Sequence, residues 1–202
     1  DVAVTGVQTC ALPIWWEKAE KKEQHAFFEK WKVGVPIAPS EIDPKEKIIP
    51  TKLVYAYKDH ENTLKDYKAR IVARGDLMTK DQYDETFSPV VRIRTQRVLI
   101  AVSVALGLGT RQFDMDNAYL QGKSKKQYLV RLPGNWETTT IDGVKTKIVR
   151  LKQSLYGLKT AGREWYETLR DDLLADGYTM CESDPCVFYK ILEDGSFCIV
   201  SI

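Results

Sequence analysis

Val98 to Gly107, VLIAVSVALG, is almost unbroken apolar sequence, and shortly after it the chain changes to strict alternation in QFDMD, Gln112 to Asp116. The run reads as a helix with Thr95 as its N-cap and Leu106 near its end, closed by glycine. Apolar on every side, such a helix belongs in the interior. In QFDMD, Phe113 and Met115 alternate with Asp114 and Asp116, so a strand here would bury one face and present two carboxylates on the other. Hard oxygen ligands of this kind suit Mg2+, and two such ions would clamp the attacking and leaving oxygens of an in-line phosphoryl displacement. The same pattern also fits a solvated sheet edge, so the aspartates need support from elsewhere in the chain.

Upstream, Trp16 to Trp31 is rich in Glu, Lys and Ala with aromatics at Phe27, Phe28 and Trp31, the pattern of an amphipathic helix stopped by Gly34 and Pro36. Val35 to Pro50 carries four prolines and reads as a surface connector. Thr51 to Tyr57 and Tyr67 to Ala73 read as a β-hairpin around a polar Lys58 to Asp66 loop. Downstream, Gln121-Gly122 turns, Gln127 to Leu132 is a strand, and Asp142-Gly143 marks a hairpin returning along Lys147 to Leu151. Arg163 to Ala175 places Trp165, Leu169 and Leu173 four apart beside Tyr166, a helical stripe closed by Asp176-Gly177. Val187 to Leu192 and Phe197 to Ile202 form a last strand pair.

With 202 residues, 44% hydrophobic and 29% charged, the chain holds one good core and reads as soluble and globular. A net charge of +2 says nothing about nucleic acid, but its distribution does. Arg92, Arg94, Arg97 and Arg111 follow one another without an intervening acid, and Lys65, Lys68, Arg70 and Arg74 crowd one hairpin. Such patches suit a phosphate backbone, although a solvated face has the same composition. Val4 to Ile14, VTGVQTCALPI, looks like the translation of a sequencing adapter, so residues 1–14 are set aside. Without Cys10, the cysteines Cys181, Cys186 and Cys198 make neither a disulfide framework nor a zinc motif. No apolar run reaches the length of a membrane span, so no membrane partner is expected.

Five blocks carry a resemblance: KARIVARG (Lys68 to Gly75), YDETFSPVVRIRTQR (Tyr83 to Arg97), QFDMDNAYLQGK, VRLKQSLYGLKTAGREW (Val149 to Trp165) and DGYTMCESDPCVFYK (Asp176 to Lys190). Their succession resembles the reverse transcriptase of copia-type (Ty1/copia) LTR retrotransposons, from about Ile48 onward. The resemblance implies an α+β fold: polymerase fingers and an antiparallel palm sheet backed by helices, without the thumb. It divides the chain into an N-terminal helix and connector at 15–47 and fingers and palm at 48–202. It places Asp114 on the first catalytic aspartate, with the Met115 carbonyl as a further metal ligand and Asp116 as a neighbour that adds negative potential. Lys68 and Arg70 fall on the fingers hairpin that closes over a triphosphate. Tyr119 falls under the sugar of the incoming nucleotide, where a ring excludes a 2′-hydroxyl. Gly157 of SLYGLK allows close backbone approach to template or nucleotide.

The implied cofactor is Mg2+, and the implied partners are RNA template, DNA or RNA primer, dNTPs and the integrase and RNase H of the polyprotein. The implied location is the cytoplasm, within a virus-like particle. Two departures stand out: the family's QAPR is Thr160-Ala161-Gly162-Arg163 here, and an aromatic usually follows the glycine at Gly75-Asp76. The family's Tyr-Val-Asp-Asp hairpin, which completes the metal site, would follow Ile202. The chain by itself is therefore expected to lack polymerase activity, since one carboxylate does not hold two cations. A nonenzymatic nucleic-acid-binding remnant is the alternative. An RNA-synthesising palm polymerase fits less well because of the ring at Tyr119, and a kinase or phosphatase lacks a GxxxxGK loop.

Overall fold

The computed structural model describes residues 12–57, 67–134, 136–140 and 142–202, with the backbone alone at 12 and 13. Cys10 and the Lys58 to Asp66 loop with Lys65 lie outside the described residues. The first helix, α1, is Leu12–His25, continued by a π-helical turn at Ala26–Lys30. Phe27 is fully buried and anchors that turn in the core.

Five strands form the main sheet: β1 (Gly34–Pro36), β2 (Ile48–Tyr57), β3 (Tyr67–Ala73), β4 (Leu129–Arg131) and β7 (Ile148–Leu151). Their spatial order is β1-β7-β4-β2-β3. The expected hairpin is the β2–β3 pair, registered Thr51 to Ala73 through Tyr57 to Tyr67. Along β3 the pleat buries Tyr67, Ala69, Ile71 and Ala73 and turns Lys68, Arg70 and Val72 to the other face. β2 and β4 run parallel while the other neighbours are antiparallel, so the sheet is mixed where an antiparallel one was expected. The long excursion between β2 and β4 makes a parallel pairing accessible. The Asp142-Gly143 turn closes the short pair β5 (Thr138–Thr139) and β6 (Lys145–Thr146). The final strands, β9 (Val187–Ile191) and β10 (Phe197–Ser201), join β8 (Thr179–Met180) in a separate antiparallel sheet.

Three expectations are corrected, two of them on the second helix. α2 is Ile93–Ala105, with Arg92 as its N-cap residue and not Thr95. A carboxylate from another element, Asp184, accepts the Arg92 N–H at 3.1 Å and does the capping. Nor is α2 interior: Ile93, Val98, Ile100, Val104 and Leu106 are all exposed, Val104 at 77%. An apolar sequence selects a helix, but burial needs a covering element, and among the described residues none lies over this face. QFDMD is the third correction. Gln112 to Asp116 is exposed and irregular, with Phe113 79% accessible, because a strand exists only when a neighbour takes its backbone groups. α4, Ala161–Ala175, starts directly after Thr160 even without the family's proline. It buries Ala161, Glu164 and Tyr166 and leaves Trp165, Leu169 and Leu173 half-covered.

Because α2 is uncovered, glutamines at Val98, Ile100 and Val104 together are expected to move the melting temperature by no more than a few degrees. Exposed positions usually contribute within about 0.5 kcal/mol each. A loss of cooperative thermal unfolding in the triple variant would show that the face is buried in this chain.

Candidate functional site

Three segments distant in sequence meet at the outer edge of the main sheet. β3 supplies Arg70, the loop after β7 supplies Tyr156 and Gly157, and α3 (Ala118–Gln121) supplies Tyr119. The Arg70 guanidinium lies 5.5 Å from the centre of the Tyr156 ring, and Tyr119 meets the same ring edge-on at 5.1 Å. A cation over an aromatic face is attracted to the ring quadrupole. The Arg70 Nε is buried without a hydrogen-bond partner among the described residues, so the stack holds the group while its donor stays unused.

The loop is fastened by backbone. Ala73 N–H donates to the Tyr156 carbonyl at 2.7 Å. Gly157 has φ +85, and a Cβ there would stand 2.2 Å from the Ala73 carbonyl oxygen. Across the contact, a Cβ on Gly75 would stand 1.9 Å from the Gly157 carbonyl oxygen. Two glycines thus let two backbones touch. Lys159 fixes the loop's far end, donating to Tyr83 Oη at 3.0 Å and to the Met78 carbonyl at 3.2 Å.

A buried acid completes the surroundings. Glu23 of α1 is 7% exposed, and its Oε1 accepts the Ile71 N–H at 3.0 Å. Burial holds its carboxyl above the usual carboxylate range, against the opposing pull of that N–H and of the Arg70 and Lys68 charges. Burial likewise lifts the Tyr156 hydroxyl; Arg70 opposes the rise, and Glu23 and Tyr119 add to it.

Of the residues singled out in the sequence, Arg70, Tyr119 and Gly157 are brought together around Tyr156. Lys68 shares the Arg70 face of β3 and is exposed. Asp114, Met115 and Asp116 lie on the exposed segment before α3, tethered where Gln121 Nε2 donates to the Asp116 carbonyl at 2.7 Å. Among the described residues no group of three or more His, Cys, Asp or Glu side chains could hold a metal ion. The Asp114 and Asp116 pair alone offers fewer oxygens than an octahedral cation requires, so the residues present do not make a metal site. Arg92, Arg94, Arg97 and Arg111 are all exposed. A cleft of about 220 Å3 between Asp84, Lys126, Arg163 and Glu167 contains none of these residues and is crossed by the Lys126–Asp84 and Arg163–Glu167 ion pairs.

Sequence reasoning passed over Tyr156 and Glu23. Tyr156 stood inside SLYGLK, next to the glycine that was chosen. Glu23 stood on an apolar stripe four residues from Ala19 on α1 and four from Phe27 in the turn that continues it, and a lone acid on such a stripe is a signal.

The class defined by this architecture is an α+β protein built on a mixed sheet with two smaller sheets and several helices. Comparison with known proteins gives the family. Residues 39–202 match the family described as reverse transcriptase (RNA-dependent DNA polymerase). The chain is similar to the retrovirus-related Pol polyprotein from transposon TNT 1-94 of Nicotiana tabacum, 34% identical over 71% of this chain and 11% of that protein. It is 35% identical to the Pol polyprotein from transposon RE1 of Arabidopsis thaliana over 80% of this chain and 10% of the relative. The truncated transposon Ty1-A Gag-Pol polyprotein of Saccharomyces cerevisiae is 34% identical, covering 73% of this chain and 12% of its own length. No solved structure matches. The chain therefore belongs to the Ty1/copia-type reverse transcriptase family, and it spans about a tenth of the length of these relatives.

Proposed function

We propose that this chain supplies the fingers and part of the palm of an RNA-directed DNA polymerase that copies retrotransposon RNA, and that by itself it binds nucleotide and nucleic acid without extending a primer. One observation carries the reading: Arg70, Tyr156 and Tyr119, from three separate segments, form one contact cluster beside the glycine loop. In this arrangement Arg70, with Lys68, takes the triphosphate. Tyr119 lies under the sugar and excludes a 2′-hydroxyl, and the Gly157 loop orders the base side. Asp114 and the Met115 carbonyl contribute ligands for Mg2+ in the complete enzyme, where the remaining oxygens come from other residues. The exposed apolar face of α2 is where further polymerase structure packs, since patches of that kind mark interaction surfaces. RNA template, DNA or RNA primer and dNTPs are the substrates, integrase and RNase H are polyprotein neighbours, and the setting is a cytoplasmic virus-like particle.

The alternative, a nonenzymatic nucleic-acid-binding remnant, is favoured by the exposed run of Arg92, Arg94, Arg97 and Arg111. Primer extension with purified chain, template–primer, dNTPs and Mg2+ is expected to give no incorporation, while labelled template–primer binds with a steep salt dependence. Template-dependent incorporation would overturn the inactive reading. In the complete polymerase, Asp114→Asn is expected to lower incorporation by at least about 100-fold, comparable to other losses of a group that stabilises transition-state charge. Unchanged incorporation in that variant would remove Asp114 from the site.

A further inference from the structure

β3 is the outer strand of the main sheet, so alternate N–H groups along it point away from β2. Two of them are met by groups from no strand: Ile71 N–H by Glu23 Oε1 at 3.0 Å, and Ala73 N–H by the Tyr156 carbonyl at 2.7 Å. The first closes the edge immediately beside Arg70, and the second closes it beside the loop that carries the ring on which Arg70 lies. α1 lies along this edge, its Ala19 packing with Tyr67 and Ala69, and Glu20 accepts the Tyr55 hydroxyl from the neighbouring strand. None of α1 falls within the region that matches the family, which begins at residue 39.

A glutamate is a costly choice for a position that is 7% exposed, since a buried carboxylate loses hydration that a single N–H does not replace. An apolar residue would cover the strand as well. What a carboxylate adds is a directed acceptor for Ile71 N–H and a negative charge that interacts with the Arg70 and Lys68 cations.

We propose that Glu23 is a positioning residue of the nucleotide site: by accepting the Ile71 N–H it fixes the β3 edge and so the direction in which Arg70 presents its guanidinium. The N-terminal helix, outside the matched region, is then a working part of triphosphate recognition. This rests on the reading that Arg70 binds triphosphate.

The test is dTTP binding to the full chain in Mg2+ buffer, measured by titration calorimetry, for wild type, Glu23→Gln, Glu23→Asp and Arg70→Ala. Gln keeps an acceptor at the same reach, whereas Asp keeps the charge and withdraws the oxygen by one methylene. Glu23→Gln is expected to bind within about twofold of wild type and Glu23→Asp about three- to tenfold more weakly, with melting temperatures of the two within a few degrees of each other, the range of a single lost neutral hydrogen bond. Equal binding by Glu23→Asp and wild type overturns the proposal, in favour of a purely electrostatic role where Glu23→Gln alone is weakened, and equal weakening by Gln and Asp overturns it because the acceptor that Gln retains would then not be what matters. Arg70→Ala separates the two levels. If it binds as wild type does, or if wild type does not bind dTTP, the nucleotide-site reading fails and takes this inference with it. If Arg70→Ala alone is weakened, only the role of Glu23 falls.

Discussion

Gly157→Ala is expected to lose about 3–5 kcal/mol of folding stability, the range of severe single substitutions. The backbone at this position has φ +85, a region that costs an L-residue about 1–2 kcal/mol. The larger penalty is steric. The new methyl would stand 2.2 Å from the Ala73 carbonyl oxygen and 2.6 Å from Val72 Cγ1, and only the second can rotate away. Relief requires the loop to retreat from β3, which breaks the Ala73 N–H bond to the Tyr156 carbonyl and moves Tyr156 from under Arg70. Equilibrium urea unfolding should show a lower midpoint with an unchanged slope. A midpoint shift worth less than about 1 kcal/mol would mean that this backbone contact is loose. The sequence assigns Gly157 to close approach by a ligand. In the fold the space a Cβ would take is filled by β3, which is sufficient reason for glycine there, whatever else the loop meets.

That difference typifies what the sequence makes legible. Elements whose signal is local are found where periodicity puts them: β2 and β3, the β9–β10 pair, α1 and α4. QFDMD has perfect strand alternation, yet it is irregular here because alternation states only which face a strand would bury, and pairing is a property of two segments. α2 is helical as expected, but its burial depends on what covers it. The candidate site divides in the same way. Arg70, Tyr119 and Gly157 were singled out by motif position and lie together in the fold, but Tyr156, which touches or adjoins each of them, emerged only from contacts. Glu23 and Asp184 were missed because their partners, Ile71 and Arg92, lie 48 and 92 residues away. Composition carries no trace of such pairings.

Asp184 bears the second large effect. It is 1% exposed, and it takes the Arg92 N–H on Oδ2 and the Cys186 N–H on Oδ1, each at 3.1 Å. Arg92 answers by donating from its guanidinium to the Ser183 carbonyl at 3.2 Å. The carboxylate thus sits at the positive end of α2, where a negative charge is favoured, and joins that helix to the small sheet. Asp184→Ala leaves two N–H donors without an acceptor and removes the cap, so a loss of about 2–4 kcal/mol is expected. The pH dependence has a definite sign. Burial pushes the carboxyl up, but hydrogen bonds from Thr95, Arg92 and Cys186 and the Arg92 charge outweigh it and leave the group below its ordinary value. A carboxyl depressed in the folded state contributes stability that is complete above the unfolded value near 3.9 and is lost as pH falls through the folded one. Urea midpoints for wild type and Asp184→Asn should therefore differ by a constant amount from pH 7 to about 5 and converge below about 4. A gap that stays constant down to pH 3, or Asp184→Ala unfolding within about 0.5 kcal/mol of wild type, would show that α2 holds its place without this carboxylate.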